Sequence, residues 1–102
     1  MKIASVKKPG GLDKIVIKDC ETPTPGRGEV LVRVRATSLN YHDFAVVSGM
    51  MPSEDDRIPM SDGAGEVVAV GEEVSRLAEG DNVVSLFFPS WRCGEPDRDC
   101  LT

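Results

Sequence analysis

The segment from residue 59 to residue 74 constrains the fold of this chain more than any other. It reads Pro-Met-Ser-Asp-Gly-Ala-Gly and then Glu-Val-Val-Ala-Val-Gly-Glu-Glu-Val, so small residues lead directly into an apolar run. Residues 66–70 and, after a turn at residues 78–81, residues 82–87 are apolar enough to be strands buried on both faces. The segment therefore predicts a β-rich domain.

Alternating side chains predict another strand over residues 29–37. Along it, one face is apolar and expected to be core, whereas the other is mixed; the apolar face carries Val30, Val32, Val34 and Ala36. Two short strands are predicted over residues 3–6 and 15–18, separated by a Pro-Gly-Gly turn.

One short helix is predicted between these strands. Asn40 is a favourable N-cap, residues 41–47 form the body, and Gly49 provides the stop. Residues 50–59 carry two prolines and a Glu-Asp-Asp-Arg run, which predicts a solvated loop.

Composition and charge exclude several classes of protein. At 102 residues the chain is one domain at most. Its net charge is −5 and its longest basic cluster is Lys7-Lys8, so nucleic acid is not an expected partner. No apolar run approaches the ~20 residues that span a membrane. The charged N-terminal segment does not resemble a signal peptide, and three cysteines are an odd number, so a cytoplasmic protein with reduced thiols is expected.

Written as Gly65-x5-Gly71-x2-Val74, with Gly80-Asp81-x-Val83 following, the first segment resembles the core signature of the medium-chain dehydrogenase/reductase family. This family includes the zinc alcohol dehydrogenases and their quinone and enoyl reductase relatives. In the zinc enzymes the residues before the first glycines are Gly-His-Glu, and the histidine binds the catalytic metal. Here the same places read Met-Ser-Asp, over residues 60–62.

A second segment, Leu-Asn-Tyr-His-Asp over residues 39–43, carries the same resemblance. Zinc members have a metal-binding cysteine at the place of Asn40 and an aspartate three residues later, which Asp43 matches. Leu-Asn-aromatic-x-Asp is similar to the zinc-free branch, in quinone oxidoreductases and the enoyl reductase modules of polyketide synthases. Two ligand positions differ together, so no catalytic zinc of the Cys/His type is expected.

The resemblance implies a mainly β fold, a partly open GroES-like barrel with one or two short helices, incomplete at its C-terminal end. Residues 1–102 would be the N-terminal, substrate-side domain of an NAD(P)-dependent oxidoreductase, truncated before the nucleotide-binding domain. The complete enzyme would transfer hydride to a carbonyl or an activated double bond. The chain alone is expected to be inactive and to bind no cofactor. Its partners would be a small-molecule substrate, the missing domain and a second copy of the chain. The alternative is a stand-alone GroES-like binding or assembly module without catalysis.

Four consecutive residues are the candidate catalytic residues. Asn40 and Tyr41 can each hydrogen-bond a carbonyl or the cofactor, although capping by Asn40 and core packing by Tyr41 would also explain them. His42 is the only histidine and is a candidate for proton transfer, or else a polar surface residue. Asp43 either orients the site or is favoured by the helix dipole alone.

Three further features have two interpretations each. Gly-Ala-Gly over residues 63–65 resembles the start of a dinucleotide fingerprint, but a strand follows it, so backbone conformation or close packing is the preferred interpretation. Cys93 and Cys100 are either half of a structural zinc site or surface thiols, and the second is preferred. The aromatic residues Phe87, Phe88 and Trp91 either line a substrate pocket or close one end of the core, and the second is preferred.

Overall fold

The computed structural model describes residues 1–90, 92–96 and 98, which form two antiparallel sheets and one α-helix. The elements in chain order are β1 (Lys2–Val6), a 3-10 helix (Leu12–Lys14), β2 (Ile15–Asp19), β3 (Val30–Ala36), α1 (Tyr41–Ser48), β4 (Ala64–Val70) and β5 (Asn82–Val84).

The first sheet is the β1–β2 hairpin. Lys2 lies opposite Asp19 at one end, and Val6 lies opposite Ile15 at the other. Both strands were predicted to within one residue, because the short apolar runs are separated by Pro9 and two glycines with positive φ.

The second sheet has the order β3-β4-β5. Gly65 of β4 is buried against β3, and a Cβ at this position would overlap the carbonyl oxygen of Arg33. Gly71 follows β4, where a Cβ would overlap the carbonyl oxygen of Gly26, and its N–H donates to the Glu29 oxygen at 2.8 Å. Both signature glycines are thus sites of close backbone approach, which confirms that interpretation for Gly65.

Helix α1 begins at the predicted residue and ends one residue later than predicted, at Ser48, with Gly49 as the predicted stop. Asn40 precedes it in an extended conformation, and Gly49 ends it in the left-handed region at φ 85°. The buried residues of the helix are Asp43, Ala45, Val46 and Val47, and the three apolar ones belong to the core together with Val6 and Val67.

Burial of the strands was predicted incorrectly. β5 ends at Val84, which is 74% exposed. In β4 the two buried residues, Gly65 and Val67, lie two positions apart and so share one face of the strand. Neither strand is therefore buried on both faces. Val34 is 63% exposed although alternation assigned it to the core face. Within the described residues β3 and β5 are outer strands, and the β3–β4 pair has two register shifts that interrupt the alternation.

The loop over residues 50–59, here called the anchored loop, is fixed to the hairpin. The Val6 N–H donates to the Arg57 carbonyl oxygen at 2.9 Å. Asp56 pairs with Lys7 at 2.8 Å and with Lys18 at 3.0 Å, and it accepts a hydrogen bond from the Ser5 hydroxyl. The pKa of the Asp56 carboxyl is lowered to about 2, mainly by the hydrogen bond from Lys7 and next by the hydrogen bond from Lys18. The anchored loop thereby fixes the position at which the next residues, 60–62, approach helix α1.

The predicted fold class is confirmed. The described residues are mainly β, with one α-helix and one 3-10 helix, and their two sheets do not close into a barrel. This architecture is consistent with the partial GroES-like domain that the resemblance implies.

Candidate active site

Asn40 lies where the chain enters α1, facing the turn that precedes β4. Its side-chain Nδ2 donates to the Ser61 Oγ and to the Asp62 Oδ2, both at 3.1 Å. A carboxylate only accepts hydrogen bonds, so the amide nitrogen, rather than the amide oxygen, must face Asp62.

Asp43 lies beneath this contact and is 2% exposed. Its Oδ2 accepts from the Asn40 backbone N–H at 3.0 Å, and its Oδ1 accepts from the Ser61 hydroxyl at 3.0 Å. The first bond reaches back to the N-cap, as in a capping box, and the helix dipole favours a negative charge in the first turn. Asp43 therefore caps the N-terminal end of α1 and also fixes the position of Ser61. The two interpretations of Asp43, orienting the site and stabilising the start of the helix, are compatible.

These four residues, Asn40, Asp43, Ser61 and Asp62, are here called the Asn40 cluster. The resemblance to the zinc enzymes assigns Asn40 and Ser61 to the places of two zinc ligands, and here these two side chains hydrogen-bond each other. The amide nitrogen of Asn40 has no lone pair to offer a metal, and the hydroxyl of Ser61 donates a hydrogen bond to Asp43. Zinc prefers thiolate, imidazole and carboxylate ligands, and no group of three such residues that could hold an ion occurs among the described residues. Within the described residues, the Asn40 cluster thus offers the two carboxylates of Asp43 and Asp62 but no third ligand of the kind that zinc prefers.

His42 points to a different side of α1 from the buried Asp43. Its ring meets the edge of Phe87 with centroids 5.1 Å apart and an angle of 80° between planes. The Nδ1 atom is buried and has no hydrogen-bond partner in the part of the chain that the structure describes. A buried polar atom without a partner is energetically costly.

A cavity of about 270 Å³ opens beside this ring and is here called the His42 cavity. Residues that line it include His42, Arg57, Met60, Ser61, Phe87 and Phe88. Ser61 also belongs to the Asn40 cluster, so the cavity and the cluster adjoin. Phe87 and Phe88 stack edge to face at 4.7 Å, and both line the cavity. That these rings line a substrate pocket stays a prediction, and Trp91 lies outside the described residues.

Tyr41 takes part in neither feature. Its side chain is 71% exposed, and its ring lies 6.1 Å from that of Phe44. Core packing of Tyr41 was therefore a wrong interpretation, because the first turn of α1 directs this side chain outward. A role in binding cofactor or substrate stays a prediction.

Sequence reasoning did not name Met60, Ser61 and Asp62 as functional residues. It noted them as replacements for Gly-His-Glu, and that position was the signal that could have identified them. Met60 has φ 84°, a conformation that glycine adopts far more readily than methionine.

Cys20 and Cys93 are free thiols, half-buried and exposed respectively. Cys100 lies outside the described residues, so the surface-thiol interpretation of the Cys93 and Cys100 pair stays a prediction. No helix among the described residues is long and apolar enough to cross a membrane. The cytoplasmic location likewise stays a prediction.

Comparison with known proteins gives consistent matches. A family model described as the alcohol dehydrogenase GroES-like domain matches residues 26–101. A zinc-type alcohol dehydrogenase-like protein of Schizosaccharomyces pombe is 39% identical over 89 residues, which are 84% of this chain and 26% of that protein.

Two solved structures show the same likeness. Escherichia coli quinone oxidoreductase complexed with NADPH superimposes with a TM-score of 0.74 at 26% identity, over 82% of this chain and 26% of that one. A cobalt- and zinc-bound thermostable alcohol dehydrogenase from Pyrobaculum aerophilum gives a TM-score of 0.76 at 39% identity, again over 82% and 26%. The chain thus spans about a quarter of the length of these relatives.

Proposed function

Because this chain belongs to the alcohol dehydrogenase GroES-like domain family, within the medium-chain dehydrogenases and reductases, we propose that it is the substrate-side domain of an NAD(P)-dependent reductase that works without catalytic zinc. The substrate would be a carbonyl compound or an activated double bond, such as a quinone or an enone.

The contact between Asn40 and Ser61 carries this proposal. At the two places where zinc enzymes of the family supply ligands, this chain has an amide and a hydroxyl that satisfy each other, with Asp43 and Asp62 as the remaining partners. A metal would have to break bonds that are already made. The NADPH complex of the bacterial quinone oxidoreductase supports a nicotinamide cofactor for the complete enzyme.

When bound, a reduced nicotinamide supplies the hydride. In the proposed mechanism, residues of this chain orient the acceptor and manage the proton. Asn40 and Tyr41 position cofactor or substrate, and the amide of Asn40 lies between the start of α1 and the segment that precedes β4. Asp43 keeps Ser61 and the start of α1 in place. His42 holds a proton at the wall of the cavity, where the substrate oxygen can receive it.

Nothing in the described residues resembles a phosphate-binding loop at a helix N-terminus, so a further domain would supply most of the nucleotide site. The test therefore uses the protein in which this chain precedes such a domain. Asn40→Ala should lower kcat/KM for NADPH-dependent quinone reduction by more than tenfold, about 1.4 kcal/mol of transition-state stabilisation. The melting temperature should change little.

Asn82→Ala is the matched control, because Asn82 is an exposed asparagine at the start of β5. It should leave kcat/KM unchanged. If Asn40→Ala lowers stability while turnover stays normal, Asn40 is a helix cap and the proposal fails. If neither the wild-type protein nor the Asn82→Ala control reduces any quinone or enone with either nucleotide, the alternative of a binding or assembly module is favoured.

A further inference from the structure

The side-chain hydrogen bonds of the Asn40 cluster each have only one possible direction. A carboxylate accepts hydrogen bonds and donates none, and a carboxylate stands at each end of the cluster. At one end, the Ser61 hydroxyl gives its single proton to the Asp43 Oδ1 at 3.0 Å. The Ser61 oxygen must therefore accept from the Asn40 amide and cannot donate to it. At the other end, Asp62 accepts from the same amide.

Both amide protons of Asn40 are thus committed, one to Ser61 and one to Asp62, each over 3.1 Å. The remaining polar atom of the side chain is the amide oxygen, which only accepts and has two lone pairs. The capping box at the start of α1 uses one of them, through the Asp43 backbone N–H. The described residues place no further partner on the second lone pair, and Asn40 is exposed, so a ligand can reach it.

Asp62 holds this orientation of the amide from the exposed side of the cluster. Its backbone oxygen accepts from the Thr37 hydroxyl at 2.6 Å, which fixes it beside the end of β3. If the amide turned over, its oxygen would face the Asp62 carboxylate and the Ser61 oxygen, and three acceptors would meet without a proton between them. Asp62 is therefore a positioning residue for Asn40.

We propose that Asn40 recognises its ligand as a hydrogen-bond acceptor, so that the group it contacts is an N–H or O–H donor and not the carbonyl oxygen of the substrate. This inference rests on the proposed function, in which two ligand groups have the required chemistry. One is the carboxamide NH₂ of the nicotinamide, and the other is the hydroxyl of the reduced substrate.

The test compares ligands that differ only in donor groups, with the protein that joins this chain to a nucleotide-binding domain. NADPH is compared with its reduced 3-acetylpyridine analogue, in which a methyl group replaces the carboxamide NH₂. Hydroquinone is compared with 1,4-dimethoxybenzene, in which methyl ethers replace the hydroxyls. In one of the two pairs, calorimetry should give a Kd at least about fivefold lower for the ligand that has the donor. That pair identifies the partner as cofactor or reduced substrate.

Variants of the cluster should change this preference in a graded way. Asn40→Ala should reduce it to less than about twofold, because the acceptor is gone. Asp62→Ala should lower it at least about twofold, whereas Asp62→Asn, which keeps an acceptor oxygen, should retain it. Asn82→Ala is the matched control at an exposed asparagine and should leave the Kd ratios of both pairs unchanged.

The orientation of the amide also has a readout that needs no ligand. The side-chain NH₂ signals of Asn40, assigned by their absence in Asn40→Ala, should show nuclear Overhauser contacts to the β-protons of Ser61 and Asp62.

Three results would overturn the inference: absence of these contacts, equal Kd values within both ligand pairs, or a donor preference that survives Asn40→Ala. Normal turnover with equal Kd values would remove the inference and leave the proposed reductase function. Absence of turnover, with an Asn40-dependent donor preference intact, would remove that function and leave Asn40 as the acceptor of a ligand site.

Discussion

At the scale of single residues, Ser61 links the two parts of the site. Its Oγ accepts from the Asn40 amide and donates to the Asp43 carboxylate, and the same residue borders the His42 cavity. A charged group as deeply buried as Asp43 is tolerated because hydrogen bonds replace its water shell. The cluster is therefore sensitive to the number of acceptors that residue 43 offers.

Asp43→Asn tests this dependence. An amide keeps the shape but loses one acceptor oxygen, so either Ser61 or the Asn40 N–H faces an N–H donor. We expect the free energy of unfolding to fall by about 1–3 kcal/mol, as for other buried groups left unsatisfied. Urea denaturation measures it. Asp62→Asn is the control at an exposed acceptor, and an equal loss there would contradict the special role of Asp43.

At the scale of elements, the anchored loop and helix α1 bring the cluster together. The loop is held by the Asp56 ion pairs and by the Val6–Arg57 backbone bond, and it ends next to Met60. Because the folded-state pKa of Asp56 is lowered, its contribution to stability is present above its ordinary pKa, near 4, and is lost as the pH falls through about 2.

Asp56→Asn should therefore lower the urea midpoint at pH 7, and the difference from wild type should shrink between about pH 4 and pH 2. Asp19→Asn is the control, since it breaks an exposed ion pair with Lys2 and should have a smaller effect at pH 7. A difference between Asp56→Asn and wild type that is constant down to pH 2 would show that these ion pairs do not anchor the loop.

Local signals predicted the elements well and burial poorly. Asn40 and Gly49 fix the ends of α1 through capping chemistry, which is written in a few adjacent residues. Exposure of Val84 depends on what packs over the sheet, which no local pattern reports. The His42 cavity requires Phe87, 45 residues downstream of His42, and the Asn40–Ser61 contact joins residues 21 apart. The family resemblance pointed to that pair of positions, but not to Met60.

At the scale of the whole molecule, the three-stranded sheet has two outer strands in the described residues, and it exposes apolar side chains such as Val34 and Val84. Open edges and exposed apolar surface recruit further chain. Relatives that are about three times as long have additional chain that could cover such surfaces.

The 102-residue chain alone should therefore self-associate and bind nucleotide poorly. We expect no saturable NADPH or NADH binding below millimolar concentration in a fluorescence titration, because no phosphate-binding loop is available. Light scattering after size exclusion should show species larger than a monomer. A cooperatively folding monomer that binds either nucleotide at micromolar concentration would contradict this account.

The central claim is that the site formed by Asn40 and Ser61 works without zinc. Its most direct test is elemental analysis of the protein that joins this chain to a nucleotide-binding domain, purified without chelators from zinc-supplemented cells, together with turnover before and after dialysis against a chelator. We expect well under one zinc per chain and unchanged NADPH-dependent turnover. One tightly bound zinc per chain, with turnover lost on its removal and restored on its return, would contradict it.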